Sequence, residues 1–162
     1  MDANAAAGDG RTVLFLCTGN YYRSRFAEIL FNHLSATQGL AARADSAGLA
    51  PNCHLRNPGA ISPYSLVALG ERGIPIPSPL RLPRDATEAD FTRFSLVVAL
   101  KESEHRRWMN QRFPHLADSI RYWNVHDIQD GGVDEALRTI EDQVGKLIEE
   151  FKTGAQREVT VR

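Results

Sequence analysis

An apolar run that stops at a cysteine, with a helical pattern starting soon afterwards, constrains this chain more than any other feature. The run Val13–Cys17 is typical of a buried strand. From Phe26 to Leu34, apolar side chains recur three and four positions apart, which predicts a helix over Ser24–Ser35. A strand, a short loop and a helix in this order form the first half of a parallel crossover unit.

The loop between this strand and this helix is suited to binding an anion. Its backbone N–H groups and those of the first helical turn converge on one concavity, and the helix dipole strengthens their attraction. In such settings a cysteine thiol has a pKa of roughly 3.5–7.5 and is readily a thiolate. We therefore predict that Cys17 is a nucleophile that attacks phosphorus. Arg23 is predicted to bind two phosphoryl oxygens with its planar guanidinium.

Other loop residues have supporting roles in this interpretation. Gly19 permits close approach of the backbone to the anion and a positive φ, and Asn20 tolerates a left-handed conformation and braces the loop. Ser24 is placed to donate a hydrogen bond to the Cys17 sulfur. The predicted substrate-binding residues are Thr18, Gly19, Asn20, Tyr21, Tyr22 and Ser24. The alternative is a buried strand cysteine before an ordinary helix start, but the strand–loop–helix context favours the catalytic interpretation.

This strand, loop and helix resemble the phosphate-binding segment of the low-molecular-weight protein tyrosine phosphatases, in which Cys-x-Gly-Asn-x-x-Arg-Ser follows an apolar strand. Asp45–Gly48 resembles the family's Ser-Ala-Gly segment, which implies that Ser46 supports the catalytic loop. Phe94–Leu100 resembles its third strand, and Val125–Asp127 lies where the family carries its catalytic aspartate. The resemblance covers about residues 11–152.

Strand and helix signals alternate along the chain. They predict an α/β fold, a single-domain three-layer sandwich with a four-stranded parallel sheet and helices on both faces. The predicted strands are Val13–Cys17, Arg43–Ala47, Leu96–Leu100 and Ile120–Trp123. The first of the later helices is predicted over Ser62–Arg72, and a short second one ends near Phe91 and has Thr87 and Asp90 as its capping box. A third begins near Ser103 and is closed by Pro114, and the last is capped by Asp134. Because ligands bind at the carboxyl ends of parallel strands, Cys17 and Asp127 are expected on the same edge of the sheet.

Asp127 is the predicted general acid, which protonates the leaving oxygen and then deprotonates the water that cleaves the cysteinyl-phosphate. The alternative is a loop or capping aspartate, with Asp130 and Asp134 as competitors for the catalytic role. Family members usually continue with a proline and tyrosines, whereas Ile128 and Gln129 follow here. This departure implies lower activity or a more mobile acid loop, and it removes the tyrosines by which some members are regulated.

Tyrosines occupy two loop positions that bear on the chemistry. Where Tyr22 stands, the family often has a second cysteine, so Cys17 is expected to oxidise without a protective disulfide unless Cys53 reaches it. Tyr21 occupies the position that faces the leaving group in related enzymes, where a threonine accompanies phosphoarginine specificity. A tyrosine there favours an aromatic leaving group, unless it and Tyr22 only form the pocket wall.

The composition is that of one ordinary globular domain. The chain has 162 residues, 43% of them hydrophobic and 24% charged, and its net charge of −1 predicts no nucleic-acid or membrane partner. We divide it into a disordered leader (1–10), a phosphatase-like domain (11–152) and a polar C-terminal tail (153–162). Arg81 and Arg84, in the proline-rich loop from Ile74 to Arg84, either line the cleft or are solvated charges, and we favour the second interpretation. Two cysteines and no signal peptide indicate a reducing, cytoplasmic location, and no metal site is expected.

Together with the resemblance, these features predict a phosphatase that hydrolyses phosphotyrosine, in a protein or as a small aryl phosphate, without a cofactor. Arsenate reduction uses the same fold and loop in some bacteria, but that chemistry needs further cysteines, and Cys53 is the only other one. A non-catalytic phosphate-binding module is the third alternative. Its signature would be loss of the nucleophile, the arginine or the acid.

Overall fold

Four parallel strands form a sheet in the part of the chain that the structure describes. The computed structural model describes residues 11–126 and 132–161, with side chains described as far as residue 154. The strands are β1 (Thr12–Cys17), β2 (Arg43–Gly48), β3 (Leu96–Ala99) and β4 (Arg121–Tyr122), and their order in the sheet is β2-β1-β3-β4. The predicted four-stranded parallel sheet is confirmed, although β4 has only two residues.

Helices follow the strands along the described residues. The α-helices are α1 (Arg23–Thr37), α2 (Pro63–Glu71), α3 (Glu88–Arg93), α4 (Glu102–Arg112) and α5 (Val133–Val161), and short 3₁₀ turns cover Cys53–Leu55 and Pro114–Leu116. The proline-rich segment before α3 has no regular structure, as predicted.

Side chains of β1 alternate between two apolar cores, one on each face of the sheet. Val13 and Phe15 belong to a core formed mainly with α1 and α5. Leu14 and Leu16 belong to a smaller core with α4. The expected helices on both faces are therefore present, and β1 is apolar throughout because both of its faces are covered.

Local capping signals predicted two helix starts correctly and one incorrectly. The Ser62 hydroxyl accepts the Tyr64 N–H at 3.2 Å and caps α2. Thr87 and Asp90 form the capping box of α3. Asp134 was expected to cap the last helix, but α5 begins at Val133, so Asp134 lies inside its first turn, where the helix dipole favours a carboxylate.

The last helix is longer than its apolar stripe predicts. The stripe ends at Phe151, whereas the helix continues to Val161, through residues interpreted as the polar tail. Residues 1–10, interpreted as the leader, lie outside the described residues. In the described part of the chain, no helix combines the length and apolar character that crossing a membrane requires.

Candidate active site

The predicted loop lies at the carboxyl edge of the sheet. Cys17 is the last residue of β1, its side chain is buried, and the loop leads directly into α1 at Arg23. The segment after β2 runs beside this loop: Leu49 N–H donates to Cys17 O at 2.9 Å and Ala50 N–H donates to Thr18 O at 3.0 Å. The site is therefore built where the first two strands end.

Ser24 is hydrogen bonded to the predicted nucleophile. Its Oγ lies 3.0 Å from Cys17 Sγ, and it also accepts a hydrogen bond from Asn20 Nδ2 at 2.9 Å. In this contact the Cys17 thiol donates and Ser24 Oγ accepts. The Ser24 hydroxyl keeps its own proton, so it can rotate and donate to the sulfur once the thiol has lost its proton.

Asn20 connects the loop to the segments around it. Its backbone has a φ of 52°, the left-handed conformation predicted for it, and its side chain is buried. Nδ2 also donates to Ser46 Oγ at 2.8 Å, while Oδ1 accepts from Arg81 Nη1 at 2.9 Å and from Arg84 N–H at 3.0 Å. Ser46, predicted to be a supporting residue, is thus in direct contact with the loop.

Arg81 and Arg84 are not solvated charges, and that interpretation is wrong. Arg81 Nη2 donates to Asp45 Oδ1 at 2.9 Å and to Ser46 O at 2.7 Å, and Arg84 Nη1 donates to Asp90 Oδ2 at 3.0 Å. Burial acts to raise the pKa of Asp45, but the hydrogen bond and charge of Arg81 outweigh it and lower that pKa below its ordinary value. The proline-rich loop has no periodicity, so no local pattern predicted where these arginines point.

A second pair of charged side chains, Glu28 and Arg25 of α1, lies next to Ser46. Its hydroxyl donates to Glu28 Oε1 at 2.6 Å, and Arg25 Nε is 3.4 Å from the same oxygen. Burial raises the pKa of Glu28 and lowers that of Arg25. Sequence reasoning missed both residues, because they look like an ordinary pair three residues apart on a helix surface.

Arg23 is buried and anchored on two neighbouring connections of the sheet. Nη1 donates to Val125 O at 3.1 Å, just after β4, and Nη2 donates to Glu104 Oε2 at 2.8 Å, in the first turn of α4. The Thr18 hydroxyl also donates to Glu104. Sequence reasoning missed Glu104, since an acidic residue in the first turn of a helix is commonplace.

The two loop tyrosines face different surroundings. The Tyr21 hydroxyl donates to Pro58 O at 2.8 Å, which holds the half-buried ring against the segment that follows the Cys53–Leu55 turn. Tyr22 is buried in the larger core and meets the Tyr64 ring edge-on at 6.5 Å. Of the two predicted substrate-binding tyrosines, only Tyr21 lies outside the apolar core.

Close approach to the loop requires a glycine at position 48 but not at position 19. A Cβ on Gly48 would lie 2.1 Å from Cys53 Sγ, whereas a Cβ on Gly19 would lie at an ordinary contact distance of 3.5 Å from Asn57 Nδ2. The positive φ expected for Gly19 is wrong, because its φ lies outside that region. The Cys53 sulfur itself contacts Ala50 O at 3.0 Å and Thr18 O at 3.5 Å. Burial, followed by the nearby Asp85 carboxylate, raises the pKa of the Cys53 thiol to about 12. A thiol in that environment is a poor nucleophile.

Asp127 and Asp130 lie outside the described residues. The segment that leads to Asp127 is nonetheless placed: Val125 N–H donates to Leu100 O at 2.8 Å, and Val125 O accepts from Arg23. It therefore reaches the edge of the sheet that carries Cys17. Among the described residues, no three His, Cys, Asp or Glu side chains are grouped as metal ligands.

Comparisons with known proteins agree with this geometry. A sequence profile of the low molecular weight phosphotyrosine protein phosphatases matches residues 12–158. Over 113 residues, the chain is 31% identical to the protein-arginine-phosphatase of Bacillus subtilis (strain 168), an alignment that covers 67% of each protein. Over 91 residues, it is 35% identical to the low molecular weight protein-tyrosine-phosphatase YfkJ of the same organism.

The likeness to YfkJ is more extensive in structure than in sequence. The sequence alignment spans only about half of each protein, 55% of both. The crystal structure of YfkJ superimposes with a TM-score of 0.77 at 26% identity, covering 91% of this chain and 98% of that one.

Proposed function

The chain belongs to the low molecular weight phosphotyrosine protein phosphatase family, and on that premise we propose that it hydrolyses phosphotyrosine and related aryl phosphate monoesters. The observation that carries this proposal is the contact between Cys17 Sγ and Ser24 Oγ at 3.0 Å, beside the buried guanidinium of Arg23. This contact supports Cys17 as the nucleophile, and the buried guanidinium at the other end of the loop supports Arg23 as the group that binds phosphoryl oxygens.

The reaction that fits this arrangement has two steps. The Cys17 thiolate attacks phosphorus, the bond to the leaving oxygen breaks, and the Asp127 carboxyl group gives that oxygen its proton. The carboxylate then removes a proton from water, which attacks the cysteinyl-phosphate and releases phosphate and the thiolate. Arg23 and the loop N–H groups stabilise the equatorial oxygens in both transition states.

Tyr21 supports an aromatic leaving group. Its hydroxyl is held by Pro58 O, so its ring is fixed at the loop, where an aryl ring of a substrate can stack on it. The identity with a protein-arginine-phosphatase makes phosphoarginine the second candidate substrate. We expect kcat/KM for phosphotyrosine to exceed that for phosphoarginine, and the opposite order would overturn the proposed specificity.

The first prediction tests the nucleophile and the acid. Hydrolysis of p-nitrophenyl phosphate is measured with a chelator present, for the parent protein, Cys17→Ser and Asp127→Asn. We expect Cys17→Ser to abolish turnover and Asp127→Asn to lower kcat by about 10²–10⁴-fold, because general acid catalysis contributes that much. Asp134→Asn, in the first turn of α5, is the control and should keep most of the activity.

Other results would favour the alternatives. A parent protein that binds phosphate but turns over no aryl phosphate would be a binding module. Arsenate reduction would require Cys53 to attack an arsenylated Cys17, and the buried Cys53 thiol is poorly suited to that step. Arsenate-dependent consumption of a thiol reductant that is lost in Cys53→Ser would contradict this reasoning.

A further inference from the structure

One carboxylate oxygen joins the two ends of the phosphate-binding loop. Oε2 of Glu104 accepts hydrogen bonds from Arg23 Nη2, at 2.8 Å, and from the Thr18 hydroxyl. Thr18 directly follows the nucleophile, and Arg23 is the residue at which α1 begins. The loop between them therefore closes around a single fixed acceptor.

The carboxylate is itself held in place. Glu104 lies in the first turn of α4, and the neighbouring His105 is fully buried. His105 Nδ1 accepts the Lys101 N–H at 3.0 Å, so the ring proton is on Nε2, which lies 3.2 Å from Glu104 Oε2. Burial acts to raise the pKa of Glu104, but hydrogen bonds from His105, Arg23 and Thr18 lower it strongly, so the group is ionised at neutral pH.

Sheet order brings Glu104 to the loop. β3 pairs with β1, and Leu100 N–H donates to Leu16 O at 2.9 Å where the two strands end. The connection from β3 to α4 therefore runs beside the connection from β1 to α1. The 2.8 Å contact between Glu104 and Arg23 spans 81 positions of the chain.

We propose that Glu104 is a positioning residue that fixes the Arg23 guanidinium and both ends of the loop for phosphoryl transfer. The inference rests on the proposed phosphatase function. Holding Arg23 at both terminal nitrogens, by Glu104 and Val125 O, removes rotational freedom before the substrate arrives. Glu104 does not touch the phosphoryl group; its own charge repels a phosphate dianion, so its benefit lies in the transition state rather than in substrate binding.

Steady-state kinetics with p-nitrophenyl phosphate provide the first test. We expect Glu104→Ala to lower kcat by about 10–100-fold while KM rises less than about threefold, because transition-state geometry is lost. In Glu104→Gln the amide oxygen still accepts both hydrogen bonds, and kcat should stay within about fivefold of the parent. Glu102→Ala, an exposed acid in the same helical turn, is the matched control and should leave the kinetics unchanged.

Anion binding separates positioning from general destabilisation. Vanadate mimics the five-coordinate transition state, whereas inorganic phosphate resembles the ground state. Glu104→Ala should lose about tenfold or more in vanadate affinity but less than about threefold in phosphate affinity. If it keeps kcat and vanadate affinity within about twofold of the parent, or if Glu104→Gln is as slow as Glu104→Ala, the inference is wrong.

A double-mutant cycle tests whether Glu104 acts through Arg23. Arg23→Lys combined with Glu104→Ala should bind vanadate no more weakly than Arg23→Lys alone, whereas additive losses would contradict the inference. Should Glu104→Ala not fold, Glu104→Asp, a carboxylate one methylene shorter, replaces it with the same expectations. A parent protein without aryl phosphatase activity would contradict the proposed function, whereas an active parent whose variants match it would contradict only the positioning role.

Discussion

Asn20 joins four separate groups through one buried amide. It donates to the hydroxyls of Ser24 and Ser46, and it accepts from the Arg81 guanidinium and the Arg84 N–H. The Ser24 and Ser46 side chains are fully buried, so their hydroxyls need hydrogen-bond partners, whereas the Arg81 and Arg84 side chains are partly exposed. The left-handed backbone at Asn20 turns the amide toward all four, which makes this residue the centre of the support for the loop.

The amide network can be separated from backbone strain by two matched substitutions. Asn20→Ala should lower the free energy of unfolding by roughly 2–4 kcal/mol, because it leaves buried polar groups without partners. Asn52 has a similar φ of 57°, but its side chain makes no hydrogen bond with the described residues, so Asn52→Ala should cost only about 1 kcal/mol. Urea unfolding measures both losses. Equal losses would show that the network contributes nothing.

Glycines within the helices and beyond their ends have opposite roles. Gly70 in α2 and Gly145 in α5 have ordinary helical backbones, and a Cβ on either would meet no atom within 4 Å. Gly73, just after α2, has a φ of +68°, which alanine adopts only with strain. The first two glycines therefore weaken their helices, and the third allows its helix to end.

The effect of a glycine-to-alanine substitution on stability should have opposite signs at these positions. Gly145→Ala and Gly70→Ala should each raise stability by about 0.5–1 kcal/mol, because alanine loses less backbone entropy in a helix. Gly73→Ala should lower it by about 1 kcal/mol. Thermal unfolding checks this, with about 2–4 °C expected per kcal/mol for a chain of this size. A lower Tm for Gly145→Ala would refute the assignment of open space beside it.

The stability of the whole protein should decrease as the pH becomes acidic. Burial acts to raise the pKa values of Asp45, Asp85 and Glu104, but hydrogen bonds outweigh it and lower them below ordinary values of 3.8, 3.8 and 4.5. The unfolded chain therefore binds protons at a higher pH than the folded protein does. The stabilisation that these three carboxylates provide is complete when the pH is above their ordinary pKa values, and it is lost as the pH falls through and below those values. Glu28, with a raised pKa, acts in the opposite direction.

Asp45→Asn should reveal part of this dependence. At pH 7 the variant should be less stable than the parent, because it lacks the charge that Arg81 and Arg84 bind. Between about pH 5 and pH 3 the difference should narrow, since the parent carboxylate then becomes protonated on unfolding. Asp142→Asn, an exposed carboxylate on α5, is the control. If the difference in the free energy of unfolding between Asp45→Asn and the parent is the same at pH 7 and at about pH 3, the predicted linkage is wrong.

The fold class and the contiguous part of the candidate site could be predicted from the sequence alone. Alternating apolar strands and amphipathic helices leave few arrangements other than a parallel sheet covered on both faces. Cys17, Asn20, Arg23 and Ser24 were recognisable because their chemistry depends on neighbours within one strand, one loop and one helical turn. Over such a short distance, spacing along the chain is close to spacing in space.

The distant groups that hold the loop could be identified only from the folded structure. Glu104 is 81 positions from Arg23, and Arg81 is 61 positions from Asn20. Neither residue lies in a sequence pattern that predicts where its side chain points. Glu104 is an ordinary acid at a helix start, and Arg81 is in an irregular loop. Sheet order brings Glu104 beside the site, the fold of the chain brings the irregular loop with Arg81 there, and partial burial then favours the pairing of each charge. The placement of these segments and the pairing of these charges depend on tertiary packing and on no local stretch of sequence.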